Sequence, residues 1–200
     1  MCKLKSGLIL KDRIFLPDYD SHEDMLKELG IKDDFFGASK KFVRVELSPV
    51  NYDPFSDIDT WVMKVDQDVR PEWFSEDEWK PKLVEAVKEW AKSHIHIGVD
   101  GLKINSGVNY YIKDCKDVEI SNSTVTARGN STVTAWGNST VTAWENSTVS
   151  NDSYWTWYKQ NALILADNAT FKDKKGKVIY QSGDYKLISI ESGKSIGEVE

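Results

Sequence analysis

An eight-residue repeat in the middle of the chain constrains its fold more than any other feature. Residues 123–150 read Ser-Thr-Val-Thr-Ala-Arg-Gly-Asn, Ser-Thr-Val-Thr-Ala-Trp-Gly-Asn, Ser-Thr-Val-Thr-Ala-Trp-Glu-Asn and Ser-Thr-Val-Ser. Short repeats of fixed period are typical of solenoids, in which each repeat stacks on its neighbours. Within each repeat Val and Ala alternate with Thr, so the small apolar residues lie on one face of a strand and the hydroxyls on the other.

The repeat predicts a parallel β-solenoid, or β-helix, over residues 98–190, with about eight residues for each strand and its turn. Apolar pairs of similar spacing extend the pattern on both sides, at Leu102/Ile104, Tyr110/Ile112 and Leu163/Leu165. We favour three repeats in each coil, or about 24 residues per coil. Two alternatives stay open: a flattened roll with two repeats in each coil, and an antiparallel meander closed by Gly-Asn turns.

Residues 1–97 have the pattern of an α+β unit. Alternating and clustered apolar residues predict short strands at residues 8–10, 14–16, 42–47 and 61–65. A capping pattern that begins at Ser75 precedes apolar residues at helical spacing, which predicts one long helix at about residues 76–92. Residues 191–200 are interpreted as a tail.

The composition is that of an acidic globular protein. The net charge is −6 and arises in residues 1–100, which contain 15 Lys and Arg against 21 Asp and Glu. Nucleic-acid-binding domains need a basic surface, so we expect no direct contact with nucleic acid. No apolar run reaches the length of about 18 residues that marks a membrane span, and the N-terminal segment lacks the pattern of a signal peptide. We expect a cytoplasmic protein without membrane contact.

The sequence contains no motif of a catalytic nucleophile and no phosphate-binding glycine loop, so we expect that the protein is not an enzyme. One group of residues has the chemistry of a metal site. His94 and His96 would lie on one side of a strand, and Cys115 would approach from the next coil, which gives three zinc-binding side chains. Because a lone pair without a second spaced pair is not a zinc motif, we expect no cofactor, and zinc at these residues is the alternative.

Two groups of residues are candidates for binding a protein partner. The first is a run of carboxylates, which would attract basic groups or imitate phosphates: Asp53, Asp57, Asp59, Asp66 and Asp68. Their spacing does not match a calcium-binding EF-hand loop. The second is an aromatic strip in a weakly charged region: Trp136, Trp144, Tyr154, Trp155, Trp157 and Tyr158. Buried Trp and Tyr side chains contribute much of the binding energy at protein interfaces.

The Thr pairs of the repeat resemble the Thr-x-Thr arrays of ice-binding solenoids. They are Thr124/Thr126, Thr132/Thr134 and Thr140/Thr142. An ice-binding array forms a ladder on one flat face, with rungs about 4.8 Å apart. Three repeats in each coil would place consecutive pairs on different faces, so we do not expect ice binding.

Residues 1–21 and 89–116, together with the Asn-Ser-Thr-Val-Thr-Ala-Trp repeats, resemble small proteins of phages and mobile elements in gut bacteria. The resemblance covers most of the chain and brings no active site with it. It implies a phage accessory protein of the cytoplasm of the infected host, and such proteins often block host immunity by binding. We therefore predict a non-enzymatic inhibitor, of the anti-CRISPR type, that binds a CRISPR nuclease or a restriction enzyme. The alternatives are a self-assembling structural solenoid and a metal-binding protein.

Overall fold

The computed structural model describes residues 4–32 and 40–150 with their side chains, and the backbone of five strands between residues 163 and 199. The chain divides into two compact units, Met1–Ser93 and His94–Glu200. The first unit is mixed α/β, and the second contains a parallel β-solenoid of about four turns over residues 95–150. A mixed α/β unit followed by a parallel solenoid confirms the predicted architecture at this level.

A four-stranded antiparallel sheet forms the basis of the N-terminal unit. Its strands are β1 (Lys5–Leu10), β2 (Ile14–Phe15), β3 (Phe42–Ser48) and β4 (Val62–Val65). Their spatial order is β2-β1-β3-β4, so β1 and β3 are central. Leu47 of β3 pairs with Met63 of β4. β4 is therefore an edge strand of this sheet.

Two helices accompany the sheet. α1 (His22–Glu28) begins after Ser21, whose hydroxyl accepts a hydrogen bond from the amide of Asp24 at 3.2 Å. Such a bond satisfies one of the amides that the first turn of a helix leaves without a partner. α2 (Glu76–His94) is the long helix predicted from the apolar spacing. Its buried side chains recur every three or four residues: Trp79, Leu83, Val87 and Trp90.

The strands of the solenoid alternate between two sheets. The first solenoid sheet contains β5 (Ile95–Ile97), β7 (Gly107–Lys113), β9 (Ser123–Arg128), β11 (Thr140–Trp144), β13 (Leu163–Asp167) and β15 (Lys177–Tyr180). The second solenoid sheet contains β6 (Lys103–Ile104), β8 (Val118–Ser121), β10 (Thr132–Trp136), β12 (Thr148–Ser150), β14 (Thr170–Asp173), β16 (Tyr185–Ser189) and β17 (Ser195–Val199). β17 pairs antiparallel with β16 and lies in the segment interpreted as a tail.

Each coil contains two strands, and the expected three-strand coil is wrong. Val125 pairs with Val141 in the first solenoid sheet, and Val133 pairs with Val149 in the second, so paired residues are 16 positions apart (141 − 125 and 149 − 133). The antiparallel meander is also wrong, because these pairs are parallel. The inward Val and Ala side chains are small, so two sheets can close on each other without a third wall.

The core of the solenoid is built from both sheets. Its buried side chains form one cluster: Ile104, Ile112, Cys115, Val118, Ile120, Val125, Ala127, Val133, Ala135, Val141, Ala143 and Val149. The alternation within the repeat therefore places Val and Ala inside, as predicted. Because the two sheets face each other across this core, the Thr side chains of one sheet lie on the opposite outer face from those of the other.

Residues in the left-handed region close the turns of the solenoid. Asp114, Gly129 and Glu145 follow β7, β9 and β11 and have φ of 53°, 66° and 61°. On the other edge, Asn122 and Gly137 follow β8 and β10 with φ of 49° and 59°. Gly, Asn and Asp adopt this conformation more readily than other residues, which accounts for their presence at four of these five positions, Glu145 being the exception.

Candidate protein-binding surfaces

Three of the predicted acidic residues lie in the loop between β3 and β4. The carboxylates of Asp53 and Asp57 each accept a hydrogen bond, at 3.1 Å, from the amide two positions later in the chain. Asp59 forms an ion pair of 2.8 Å with Lys88 of α2. The hydrogen bond with Asp59 is the main reason that the pKa of Lys88 lies above its usual value. These carboxylates therefore stabilise the loop and also give its surface a negative charge.

The other two predicted acidic residues follow β4. The carboxylate of Asp66 lies 3.6 Å from Lys64 Nζ and 3.9 Å from His22 Nδ1. Asp68 is exposed two positions later. The five carboxylates are therefore not one cluster. They lie before and after β4, so the predicted acidic surface brackets an edge strand.

Trp136 and Trp144 lie on opposite outer faces of the solenoid. Trp136 ends β10 in the second solenoid sheet, and Trp144 ends β11 in the first. Both side chains are half-buried at outward positions, as their place in the repeat predicts. Because neighbouring strands of the chain belong to different sheets, these two residues do not form one strip. The rest of the predicted strip, Tyr154, Trp155, Trp157 and Tyr158, lies outside the described residues.

The outer face of the first solenoid sheet combines an aromatic ring with basic residues. The guanidinium carbon of Arg128 lies 5.7 Å from the centre of the Trp144 ring, a distance suited to a cation–π contact. Arg128 pairs with Lys113 of the preceding coil. The same face carries two rows of hydroxyls, in which Thr124 pairs with Thr140 and Thr126 with Thr142. We call these residues the Arg128–Trp144 face.

The contact between Arg128 and Trp144 is not among the features predicted from the sequence. A signal was present, because Arg128 occupies the position in its repeat that Trp136 and Trp144 occupy in theirs. Without the number of strands in a coil, however, the repeat next in sequence and the repeat next in space cannot be told apart. The pairing of β9 with β11 makes Arg128 a neighbour of Trp144 rather than of Trp136.

The outer face of the second solenoid sheet carries rows of hydroxyl groups. Thr132 pairs with Thr148, and the Oγ1 of Thr134 lies 3.0 Å from the Oγ of Ser150 in the next coil. The Thr pairs of the repeat are therefore divided between two faces. In the described part of the chain the first solenoid sheet has two rungs of Thr pairs, and the second has one Thr pair followed by Thr148 and Ser150. Either face is short compared with the long ladder of an ice-binding array.

The three predicted metal-binding residues lie near one end of the solenoid. His94 is buried and its ring stacks on Tyr110, with centroids 4.8 Å apart and planes at 15°. His96 pairs with the core residue Ile112. Cys115 Sγ donates a hydrogen bond to the backbone carbonyl of His96 at 3.5 Å. In residues 4–32 and 40–150, no three His, Cys, Asp or Glu side chains are placed to share a metal ion. Zinc at these residues stays the alternative to the expected absence of a cofactor.

Comparisons of the chain with protein-family models, with curated proteins and with solved structures found no match. Within the described ranges, neither helix is long and apolar enough to cross a membrane. The described residues offer two candidate surfaces for a partner, the Arg128–Trp144 face and the acidic residues around β4.

Proposed function

We propose that this protein is a non-enzymatic inhibitor that binds a bacterial defence protein, a CRISPR nuclease or a restriction enzyme, in the cytoplasm of a phage-infected cell. The resemblance of residues 1–21 and 89–116 to phage proteins supports this setting. The outward rows of a parallel sheet support the mode of action, because a rigid flat surface suits docking. Binding would cover a nucleic-acid site of the partner or prevent its conformational change.

The regularity of the solenoid supports docking through one of its faces. We take each strand and its turn as about eight residues, which agrees with the offset of 16 residues between paired positions (141 − 125). Outward side chains of successive coils then stand about 4.8 Å apart in straight rows. A partner would meet side chains whose positions are set by the backbone, so few of them lose freedom on binding.

The contact between Arg128 and Trp144 carries this proposal. A half-buried Trp on an outer face presents a large apolar surface whose removal from water favours binding. The guanidinium over its ring limits the rotamers of both side chains before a partner arrives. Trp and Arg are also the residue types most enriched among those that dominate binding energy at interfaces.

The ends of the described sheets favour a binding protein over the alternative of a self-assembling solenoid. β5 and β6 have three and two residues, so the first strand of each solenoid sheet is short. β17 at the other end of the second solenoid sheet is antiparallel to β16. Short or irregular edge strands are a common way in which proteins prevent edge-to-edge association. We propose that the protein acts as a binding protein and not as a filament.

The variants Trp144→Ala and Trp136→Ala test the proposal as a matched pair. They remove the same side chain from the same position of the repeat on opposite faces. Tagged protein would be used to capture partners from lysates that contain CRISPR and restriction systems, and the captured nuclease would then be assayed for cleavage. We expect Trp144→Ala to weaken binding at least about tenfold, the loss typical of a dominant interface residue, and Trp136→Ala to have little effect.

Two outcomes would contradict this function. One is the absence of any captured defence protein, and the other is a captured nuclease whose cleavage rate the protein does not change. Thermal unfolding of both variants is the control, because a loss of binding that accompanies a loss of folding says nothing about the face. Equal losses of affinity for the two variants would mean that the Arg128–Trp144 face is not the docking face.

A further inference from the structure

The outer edge of β4 presents backbone groups that no described strand covers. The amide of Asp66 donates to the carbonyl of Arg44 at 2.9 Å, so the amide at this position points toward β3. Backbone amides alternate in direction along a strand, so those of Met63 and Val65 point away from β3. β4 is the last strand of the sheet in the described part of the unit. Two amides and two carbonyls are therefore directed outward.

Side chains of β4 show that its surface is accessible. Val62 is 59% exposed, and the side chain of Lys64 is 53% exposed. Val62 and Lys64 are two positions apart and lie on the same face of the sheet. An exposed Val beside an open row of amides and carbonyls is the arrangement that a further strand would cover, because added strands gain affinity from backbone hydrogen bonds and specificity from alternate side chains.

Carboxylates at both ends of β4 decide which kind of strand fits. Asp57 and Asp59 are exposed shortly before the strand, and Asp66 and Asp68 are exposed after it. Antiparallel pairing of two copies of β4 would place the end of each strand beside the start of the other. Self-pairing would therefore bring carboxylates together, whereas a segment rich in Lys or Arg would meet opposite charge.

We propose that β4 binds an extended basic segment of a partner protein, which joins the sheet as a fifth strand. This inference deepens the proposed function and rests on it for the existence of a protein partner. The amides and carbonyls of Met63 and Val65 hold the backbone of the segment. An apolar side chain of the segment packs on Val62, and Lys or Arg side chains toward its end pair with Asp66 and Asp68.

A synthetic peptide in which Lys and Val alternate is the probe for this site, and a peptide with Glu in place of Lys is its control. Binding to the full-length chain would be measured by fluorescence anisotropy. Met63→Pro removes an outward amide without removing a β3–β4 hydrogen bond, since proline is tolerated on that side of an edge strand. Met63→Ala is the matched control, because it shortens the same side chain and keeps the amide.

We expect the Lys-Val peptide to bind and to slow hydrogen exchange at the amides of Met63 and Val65. Met63→Pro should weaken binding at least about tenfold, and Met63→Ala by less than about twofold. Asp68→Asn should weaken binding several-fold. Asp12→Asn removes an exposed carboxylate near β2, at the other edge of the sheet, and should have no effect.

Three results of the peptide assay would overturn the inference: no binding of the Lys-Val peptide, equal binding of the Glu-Val peptide, or unchanged binding by Met63→Pro. Concentration-dependent protection of Met63 without peptide would show that a second copy of the chain occupies the edge, which also overturns it. The peptide assay contains no defence protein, so peptide binding without partner capture contradicts only the proposed function. Partner capture that Met63→Pro leaves intact contradicts only the present inference.

Discussion

The carboxylate of Asp114 fills the space beside Gly129 in the next coil. A Cβ at residue 129 would lie 2.2 Å from Asp114 Oδ1, and the same oxygen accepts a hydrogen bond from the amide of Asn130 at 2.9 Å. The arrangement recurs on the other edge of the solenoid, where a Cβ at Gly137 would lie 2.6 Å from Asn122 Oδ1. The glycines of the repeat thus make room for a side chain of the preceding coil.

We predict that Gly129→Ala destabilises the solenoid far more than Gly98→Ala. Gly98 has φ of 64° and no heavy atom within 4 Å of a Cβ placed on it. Gly98→Ala therefore lowers the free energy of unfolding only because alanine disfavours the left-handed conformation, by about 1 kcal/mol. Gly129→Ala has the same backbone penalty and adds a clash that displaces Asp114 and breaks its hydrogen bond to Asn130. We expect the clash and the lost bond to lower the free energy of unfolding by at least about 2 kcal/mol more. Urea unfolding would measure both variants. Equal losses would mean that Asp114 moves away at no cost.

Glu145 departs from the repeat and makes a contact of its own. It stands where two earlier repeats have Gly, its φ is 61°, and its Oε2 accepts a hydrogen bond from the amide of Gly129 at 2.7 Å. Glu145→Ala and Glu145→Gly both remove this bond, but only Ala keeps a Cβ in the left-handed region. We expect Glu145→Ala to be less stable than Glu145→Gly by about 1 kcal/mol in urea unfolding. The reverse order would contradict the strain at this turn.

Cys115 occupies the place of a serine in the solenoid. Its Sγ donates to the carbonyls of His96 at 3.5 Å and Lys113 at 3.3 Å, which lie 19 and 2 positions earlier. Ser123 donates to the carbonyls at the same two offsets, those of Ile104 at 3.5 Å and Ser121 at 2.7 Å.

We therefore expect Cys115→Ser to change the free energy of unfolding by less than about 0.5 kcal/mol, and Cys115→Ala to cost about 1 kcal/mol because the single donor shared by these two carbonyls is lost. Thermal and urea unfolding would compare the variants. Elemental analysis of the wild-type protein and of Cys115→Ser supplies an independent readout. Stoichiometric zinc that Cys115→Ser abolishes would show that the thiol binds a metal rather than stabilising the coil.

An ion pair between a buried lysine and a partly exposed aspartate joins β1 to the loop before α1. Lys5 Nζ lies 2.9 Å from Asp20 Oδ1 and also donates to the carbonyl of Pro17 at 2.5 Å, and the Lys5 side chain is fully buried. Removal of the aspartate leaves the buried ammonium without a compensating charge and lowers the free energy of unfolding by about 3 kcal/mol or more. Replacement of the lysine by an apolar side chain lowers it by less, because the buried charge is then absent. We expect Asp20→Asn to be less stable than Lys5→Met in urea unfolding. The opposite order would show that Asp20 is not the group that compensates the ammonium.

The same lysine predicts a dependence of stability on pH. Burial lowers the pKa of Lys5 below its ordinary value of 10.5, and the carboxylate of Asp20 opposes this effect. At pH values between the folded and unfolded pKa, the unfolded chain binds more protons, so the contribution of Lys5 to stability rises with pH up to about 10.5. We expect this rise in wild-type protein and its absence in Lys5→Met, by urea unfolding at increasing pH. An identical pH profile for both would contradict it.

The sequence was sufficient to place most elements of the fold. α2 could be predicted because its apolar residues recur every three or four positions, and β10 because Val133 and Ala135 alternate with Thr. The acidic residues around β4 could likewise be identified as a charged group. Their arrangement at both ends of an edge strand could not, because the order of strands in a sheet depends on pairing between residues such as Leu47 and Met63 that are distant in the chain.

The sequence by itself determined that residues 123–150 form short strands with Val and Ala on one face, because the alternation of side chains is a local property of the strand. Only the tertiary structure decided that two strands complete a coil. The same left-handed turns would serve a coil of two strands or of three, and packing of the small inward side chains across the core selects between them. That choice places Arg128 beside Trp144 and sends Trp136 to the opposite face.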